Sequence, residues 1–180
     1  MNKNIVVAVM VLVLCLLAAC DRGGTSLSTA PAPAASPVEG VWRVAEITVT
    51  GANPSTTVDL PSVYIFTKSH YSIMRTVGNQ PRVLFKAIDP ESEEKIAAYD
   101  TFIANSGTYE LSGTTMTTRP AIAKNPNFMG GGFDICEVRR DGDILWLKGK
   151  STDLRLRLGD GLVSPPDPAD ETQIKLIRIE

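Results

Sequence analysis

A series of short runs rich in β-branched residues, joined by tight turns, follows residue 40 and constrains the fold of this chain. Asp141 and Gly142 give the strongest turn signal, because this dipeptide favours the two-residue connections of antiparallel hairpins. Ser-Gly at 112–113 and Lys-Ser-His at 68–70 mark two further tight connections. We predict eight or nine strands, most of them paired with the next along the chain: 40–49, 63–67, 71–77, 107–111, 114–118, 133–139, 143–148, 154–158 and 174–179.

One segment interrupts the strand pattern. Asp89 can cap a helix, with Pro90 at the favoured first helical position. Ile96, Tyr99 and Ile103 then recur at helical spacing. The sequence therefore predicts one amphipathic helix within residues 89–105.

The number of strands points to a closed sheet. A meandering antiparallel sheet of this size must protect its edges, and closure into an up-and-down barrel removes them. The predicted fold is all-β and mainly antiparallel, an up-and-down barrel of about eight or nine strands with one internal helix.

An apolar leader precedes the strands. Lys3 is followed by an uncharged apolar run at 5–17, which is the layout of a secretory signal. This run is shorter than the about 20 apolar residues that a membrane-spanning helix needs. The leader ends in Leu-Ala-Ala-Cys at 17–20, which resembles the lipobox of bacterial lipoproteins. The resemblance implies cleavage before Cys20 and acylation of its sulfur and new amino group, palmitate being one such chain. The expected location is the bacterial cell envelope, lipid-anchored in the inner or outer membrane and most simply facing the periplasm.

These features divide the chain into a signal peptide at 1–19, a lipidated Cys20 with a disordered Pro/Ala/Ser tether at 20–39, and a barrel domain at 40–180. The leader takes 19 of the 180 residues, so 161 remain, enough for one hydrophobic core. They carry 17 basic and 20 acidic groups, which gives a net charge of −3. They have none of the basic clusters that are typical of nucleic-acid binding. Cys136 is the one further thiol after the leader, so we expect no internal disulfide.

Two further motifs resemble known proteins. Gly-Val-Trp at 40–42 resembles the Gly-x-Trp motif of lipocalins, in which the indole closes one end of the barrel against an arginine of the last strand. The resemblance implies structural closure by Gly40 and Trp42, with Arg178 as the matching arginine. Four segments resemble a bacterial lipocalin-like domain family: Ala-Asn-Ser-Gly-Thr-Tyr at 104–109, Leu-Ser-Gly at 111–113, Pro-Ala-Ile-Ala-Lys-Asn-Pro at 120–126 and Phe-Met-Gly-Gly at 128–131.

This resemblance spans most of residues 40–180 and implies a calycin-type barrel with an internal cavity. The helix departs from the family pattern, because typical lipocalins carry theirs after the barrel. Fold alone does not determine function.

Catalytic and metal-binding motifs are scarce. His70 is the single histidine, and the sequence has no Gly-x-Ser-x-Gly, His-Glu-x-x-His or Cys-x-x-Cys pattern. We therefore expect no enzyme, no metal and no cofactor.

One constellation could bind a ligand. Alternation along a strand places four residues on one face: Tyr71, Ile73, Arg75 and Val77. Arg75 either points to solvent near the barrel rim or orients an anionic headgroup inside. In the second case Tyr71 and Tyr64 supply an aromatic wall, and Phe128 lines or gates the mouth.

The leading functional hypothesis is a membrane-anchored lipoprotein whose barrel binds or carries a small hydrophobic or amphipathic ligand. The alternative is a non-catalytic envelope structural or protein-interaction module whose barrel is plugged by its own side chains. The volume of the interior distinguishes the two, because an eight-stranded barrel can either be filled or hold one small ligand.

Overall fold

The computed structural model describes residues 36–78, 82–165 and 170–180. Most of these residues lie in strands, and one α-helix, α1 (Ser92–Asp100), interrupts them. The strands are β1 (Gly40–Thr50), β2 (Ser55–Val58), β3 (Ser62–Phe66), β4 (His70–Thr76), β5 (Phe102–Ser112), β6 (Thr115–Ala123), β7 (Asp134–Asp141), β8 (Ile144–Lys150), β9 (Leu156–Leu158), β10 (Gly161–Val163) and β11 (Glu171–Arg178).

Eight of these strands close into an antiparallel barrel. From β3 to β8 each barrel strand pairs with the next, β8 pairs with β11, and β11 pairs with β1, which returns to β3. The short strand β2 pairs with the later part of β1. Asp141 ends β7 and Ile144 begins β8, so the strongest turn signal of the sequence does connect a hairpin. The predicted barrel with one helix inside the strand series is confirmed.

One end of the barrel is filled by large side chains, and we call it the closed end. Trp42 is fully buried there, and its indole nitrogen donates a hydrogen bond of 2.9 Å to the carbonyl of Val38. Phe66 and Tyr109 stack edge to face with their ring centres 5.7 Å apart. Val38 is itself fully buried, so the folded unit begins before the predicted boundary at residue 40.

Gly40 has a structural reason to be glycine. Its φ of +137° lies in a region that other residues rarely adopt. A Cβ atom at this position would lie 2.8 Å from the carbonyl oxygen of Glu180 and 3.2 Å from the guanidinium carbon of Arg178. The glycine of the Gly-x-Trp motif thus allows the last strand, β11, to pass close to the first strand, β1.

The predicted helix is shorter and more exposed than its sequence pattern indicated. It begins after Glu91, whose backbone N–H donates a hydrogen bond to the Glu94 carboxylate, and not after Asp89. Ile96 and Tyr99 are 60% and 48% exposed, and Ile103 lies in β5, paired with Arg75. The prediction of an amphipathic helix over 89–105 was therefore wrong in extent and in packing, because β5 continues back to Phe102 to complete its pairing with β4.

The predicted strand at 154–158 also differs. Only Leu156–Leu158 is a strand, and it pairs with β10 in a separate two-stranded hairpin. Leu158 is 51% exposed, whereas Leu154 and Leu156 are half-buried and line the cavity of the barrel, so the alternation of leucines and arginines marks only a partly buried face. The position beside β8 is taken by β11, which leaves β9 outside the barrel. Among the described helices, none is long and apolar enough to cross a membrane.

Candidate functional site

The barrel contains a cavity of about 550 Å³ at the end opposite Trp42. It is lined where β6 and β8 end and where β5, β7 and β11 begin, together with the loops that follow β6 and β8. We call this the open end. Its apolar walls include Ile73, Ile103, Met116, Leu147 and Ile174. This volume lies within the range of about 300–1,000 Å³ that is usual for small-molecule sites.

Small residues at inward positions explain why this end is hollow. Ala123 on β6 and Gly149 on β8 occupy inward positions and line the cavity, whereas Trp42 and Tyr71 fill corresponding space in the rest of the barrel. A Cβ atom on Gly149 would lie 3.1 Å from the carbonyl of Ile135, so β7 crosses it closely. The small side chains on β6 and β8 therefore leave this end of the barrel hollow.

Arg75 lies inside this cavity. It is half-buried, lines the wall beside Tyr64 and Ile73, and donates a hydrogen bond of 3.3 Å to the carbonyl of Thr76. Its charge and its hydrogen bonding favour the ionised form of Tyr64, but desolvation by burial is the larger effect and raises the pKa of that phenol. Of the two orientations considered for Arg75, the structure has the inward one.

Tyr71 belongs to the core and not to the cavity wall. It is only 2% exposed, and its hydroxyl has no hydrogen-bond partner within the described part of the chain. Burial raises its pKa to about 12, an effect that the nearby Thr118 hydroxyl partly opposes. The cavity wall therefore contains Tyr64 of β3. Tyr71 lies on the same face of β4 as Arg75 but deeper in the barrel.

Phe128 lies at the open end of the barrel and contributes to the cavity lining. It ends a short 3-10 turn, Pro126–Phe128, which Asn125 caps by accepting a hydrogen bond of 3.0 Å from the N–H of Asn127. The structure thus brings Tyr64, Arg75 and Phe128 together around one space.

Asp134 is a cavity residue that the sequence reasoning missed. It begins β7, with its side chain in the cavity two residues before Cys136. Burial raises the pKa of Asp134 to about 6, with a smaller contribution from the charge of Asp153. The alternation of Asp134, Cys136 and Val138 is the signal that could have identified it, because the last of these is buried.

Cys136 lines the cavity as a thiol. Burial raises its pKa to about 12, and the neighbouring Asp134 carboxyl adds to the shift. Low-pKa thiols are the nucleophilic ones, so this cysteine is a wall residue and not an activated group.

Two lysines surround the mouth. Lys124 and Lys150 line the cavity, and the ammonium of Lys124 lies 3.9 Å from the centre of the Tyr99 ring and donates to the carbonyl of that residue. Together with Arg75 they give three cations against one carboxyl, that of Asp134, among the described residues that line the cavity. The charge distribution favours an anionic or polar headgroup over a cationic one.

The remaining candidate residues lie elsewhere. His70 is exposed at the start of β4, with its ring nitrogen 3.1 Å from the Ser69 hydroxyl. Arg178 stacks on Trp42 at the closed end. Cys20 lies outside the described residues. Within residues 36–78, 82–165 and 170–180 no cluster of three or more histidine, cysteine or acidic side chains has an arrangement that could hold a metal ion.

Comparisons with known proteins add a structural likeness. No family model matches the sequence, and no curated protein matches it. Among solved structures, the chain is similar to a lipocalin-like protein from Bacteroides uniformis, with 14% sequence identity and a TM-score of 0.40 over 80% of this chain and all of that one.

Proposed function

We propose that this barrel binds a small amphipathic ligand, with an apolar body against the cavity walls and an acidic head against Arg75. The observation that carries the proposal is a half-buried guanidinium set in the apolar wall of a cavity of about 550 Å³. A partly desolvated cation is stabilised by an anion that accepts its hydrogen bonds, and a carboxylate matches the guanidinium fork.

The cavity distinguishes this function from that of a plugged barrel. A barrel that acts only through its outer surface has no need of an interior space, and its inward side chains can fill it. Here the small inward residues Ala123 and Gly149 leave room next to Phe128 at the mouth. The geometry therefore supports a ligand carrier over an envelope structural or protein-interaction module.

We propose no chemical step. The thiol that lines the cavity, Cys136, stays protonated because its pKa is about 12. His70 is exposed at the start of β4, where its backbone pairs with Thr108, whereas Arg75 lies near the other end of the strand. The groups that line the cavity are those that binding and release of a ligand require.

The sequence of the leader supports a location at the cell envelope. We propose that Cys20 is acylated and holds the barrel at the bacterial envelope, because Leu-Ala-Ala-Cys follows an apolar run of the right length. Several acyl chains give stable anchoring where one does not. In a bacterial host, Cys20→Ser should shift the protein out of the membrane fraction and remove the acyl mass from its N-terminal peptide.

The ligand proposal is tested with residues 30–180, which contain every barrel strand and every residue of the hydrophobic core. Dodecanoate and dodecanol serve as matched probes, since they share an apolar chain and differ in charge. Arg75→Gln should weaken dodecanoate binding about tenfold or more, because it removes a charge-assisted hydrogen bond, and should leave dodecanol binding nearly unchanged.

The control for that variant is Arg139→Gln, which removes an arginine stacked on the outer Trp146 ring at 3.7 Å. A second variant, Ala123→Trp, fills the cavity and should abolish binding of both probes, whereas Ala121→Trp on the exposed face of the same strand should not. Equal dodecanoate affinity in wild type and Arg75→Gln would refute the role of Arg75, and unchanged binding in Ala123→Trp would refute the site.

A further inference from the structure

Residues 82–88, which we call the mouth loop, expose a contiguous apolar surface. Val83 and Leu84 are 87% and 88% exposed, Ile88 is fully exposed, and Phe85 is 48% exposed. Single exposed apolar residues are normal, but a contiguous group of large ones marks a binding surface.

The mouth loop lies at the open end of the barrel. It belongs to the connection between β4 and β5, and the strands on either side meet where Thr76 pairs with Phe102. The guanidinium of Arg82 lies 4.9 Å from the centre of the Phe102 ring, which fixes the start of the loop. The next residue along β5, Ile103, lines the cavity. The exposed apolar side chains are therefore neighbours of the cavity mouth.

The charges next to these side chains suit a lipid surface. Arg82 and Lys86 bracket Val83, Leu84 and Phe85 in the sequence. Long cationic side chains can place their stems along apolar material and their charged ends among phosphates.

The acidic groups nearby set a limit on how anionic that surface can be. Asp89 forms an ion pair with Lys95 at 2.9 Å, while in the first turn of α1 Glu93 is exposed and Glu94 is half-buried. A surface that mixes zwitterionic and anionic lipids meets both requirements, since Arg82 and Lys86 gain from phosphates and the glutamates face less repulsion.

We propose that the mouth loop docks the open end of the barrel on a lipid bilayer, with Val83, Leu84 and Phe85 entering the boundary between headgroups and acyl chains. Projecting apolar side chains on a loop are suited to a fluid phase that closes around them, whereas a protein partner would have to present matching pockets. The inference goes beyond ligand binding and stands whether or not the cavity carries a ligand. Docking directs the cavity mouth towards the membrane, so an amphipathic molecule could pass between the two without crossing water.

The length of chain before the barrel is compatible with this orientation. Ser36 lies at the closed end, where its hydroxyl is 3.2 Å from that of Tyr109. The chain from Cys20 to Ser36 spans at most about 50 Å at about 3.3 Å per residue, while the 11 residues of β5 extend over about 36 Å. A lipid on Cys20 and the mouth loop can therefore reach the same membrane.

The test uses residues 30–180, which lack Cys20, and vesicles of phosphatidylethanolamine and phosphatidylglycerol mixed at about three to one, with sedimentation as the readout. Wild type should bind. Combined replacement Val83→Asp and Leu84→Asp should weaken binding by about tenfold or more, because the apolar side chains no longer enter the bilayer. Lys86→Gln should weaken it by about fivefold.

Ile179→Asp is the matched control, because Ile179 is an apolar residue exposed to 53% that follows the last strand at the closed end. It should leave vesicle binding unchanged. Thermal unfolding of each variant checks the fold, and positions as exposed as Val83 and Leu84 should not affect it. Wild type that fails to sediment, or equal binding by wild type and the double variant, would overturn the proposal, and capture of a membrane protein without binding to pure lipid would assign the loop to a protein partner instead.

Discussion

Arg178 and Trp42 are direct partners across the pair of strands that closes the barrel, with the guanidinium carbon 5.5 Å from the centre of the indole ring. A second cation, Arg140, lies 5.4 Å from the same ring and donates to the carbonyl of Pro37 at 3.1 Å. The first strand, the last strand and the residues before β1 thus meet on one indole. Loss of that side chain affects three parts of the chain at once.

Trp42→Ala should lower the free energy of unfolding by about 3–5 kcal/mol, because it empties the closed end and removes the buried hydrogen bond to Val38. Urea unfolding measures this. The matched control is Trp146→Ala, since Trp146 is half-buried on the outer face under Arg139, and its loss should cost about 1 kcal/mol. Equal losses for the two variants would show that Trp42 has no special role in closure.

Gly107→Ala should be among the most damaging single-methyl additions in the barrel. A Cβ atom there would overlap the carbonyl of Arg119 and lie 2.8 Å from the nitrogen of Ala121, at the bulge between β5 and β6. Backbone cannot yield as a side chain can, so we expect a loss of more than about 3 kcal/mol in thermal or urea unfolding.

Gly113→Ala is the comparison for that variant. Its Cβ atom would meet nothing within 4 Å, and its φ of +60° should cost about 1 kcal/mol. If Gly107→Ala were no worse than Gly113→Ala, the close crossing of β5 and β6 would not exist in solution.

The sequence was informative about the barrel because the relevant signals are local. Alternating side chains, the Asp141-Gly142 turn and the short connections determine that neighbours pair, and a sheet of this size favours closure. The errors fell on segments where pairing with a distant partner overrode local preference. Ile103 has helical spacing from Tyr99 but completes the ladder with Arg75, and Leu156 alternates like a barrel strand but loses its place beside β8 to β11.

The cavity was harder to predict because it depends on which residues are small on several strands at once. Arg75 and Tyr64 could be proposed from one strand's alternation and an aromatic nearby. Asp134 alternates with Cys136 and Val138 in the same way, but an aspartate near the start of a strand is ordinarily exposed, so this signal alone was weak. Only the assembled barrel shows that Asp134 and Ala123 face the same space.

Cys136 should react slowly with iodoacetamide in the folded protein. Burial raises its pKa to about 12, and the thiolate is the reacting form. At pH 8, alkylation should be at least about 100-fold slower than in urea. The control is Glu137→Cys combined with Cys136→Ala, which moves the thiol to the exposed neighbour on β7. Equal alkylation rates for the two positions, followed by mass spectrometry, would show that Cys136 is open to water.

Asp134 should make the barrel less stable as the pH rises through the weakly acidic range. Burial raises the pKa of Asp134 from 3.8 to about 6, so between these values the folded chain keeps a proton that the unfolded chain has lost. The contribution of Asp134 to the free energy of unfolding is fully present below about pH 4, declines between about pH 4 and 6, and is lost above about pH 6. The shift corresponds to about 3 kcal/mol at most, and because Asp134 borders an open cavity we expect about 1–3 kcal/mol.

Asp134→Asn tests this, because an amide cannot ionise. The variant should match wild type near pH 4 and exceed it by about 1–3 kcal/mol at pH 7, as measured by urea unfolding across that range. Asp143→Asn, which changes an exposed carboxylate in the turn before β8, should follow the wild-type profile. Parallel pH profiles for wild type and Asp134→Asn would mean that the Asp134 carboxyl is hydrated in the cavity. In that case water, and not protein, surrounds the acid that faces any ligand held by Arg75.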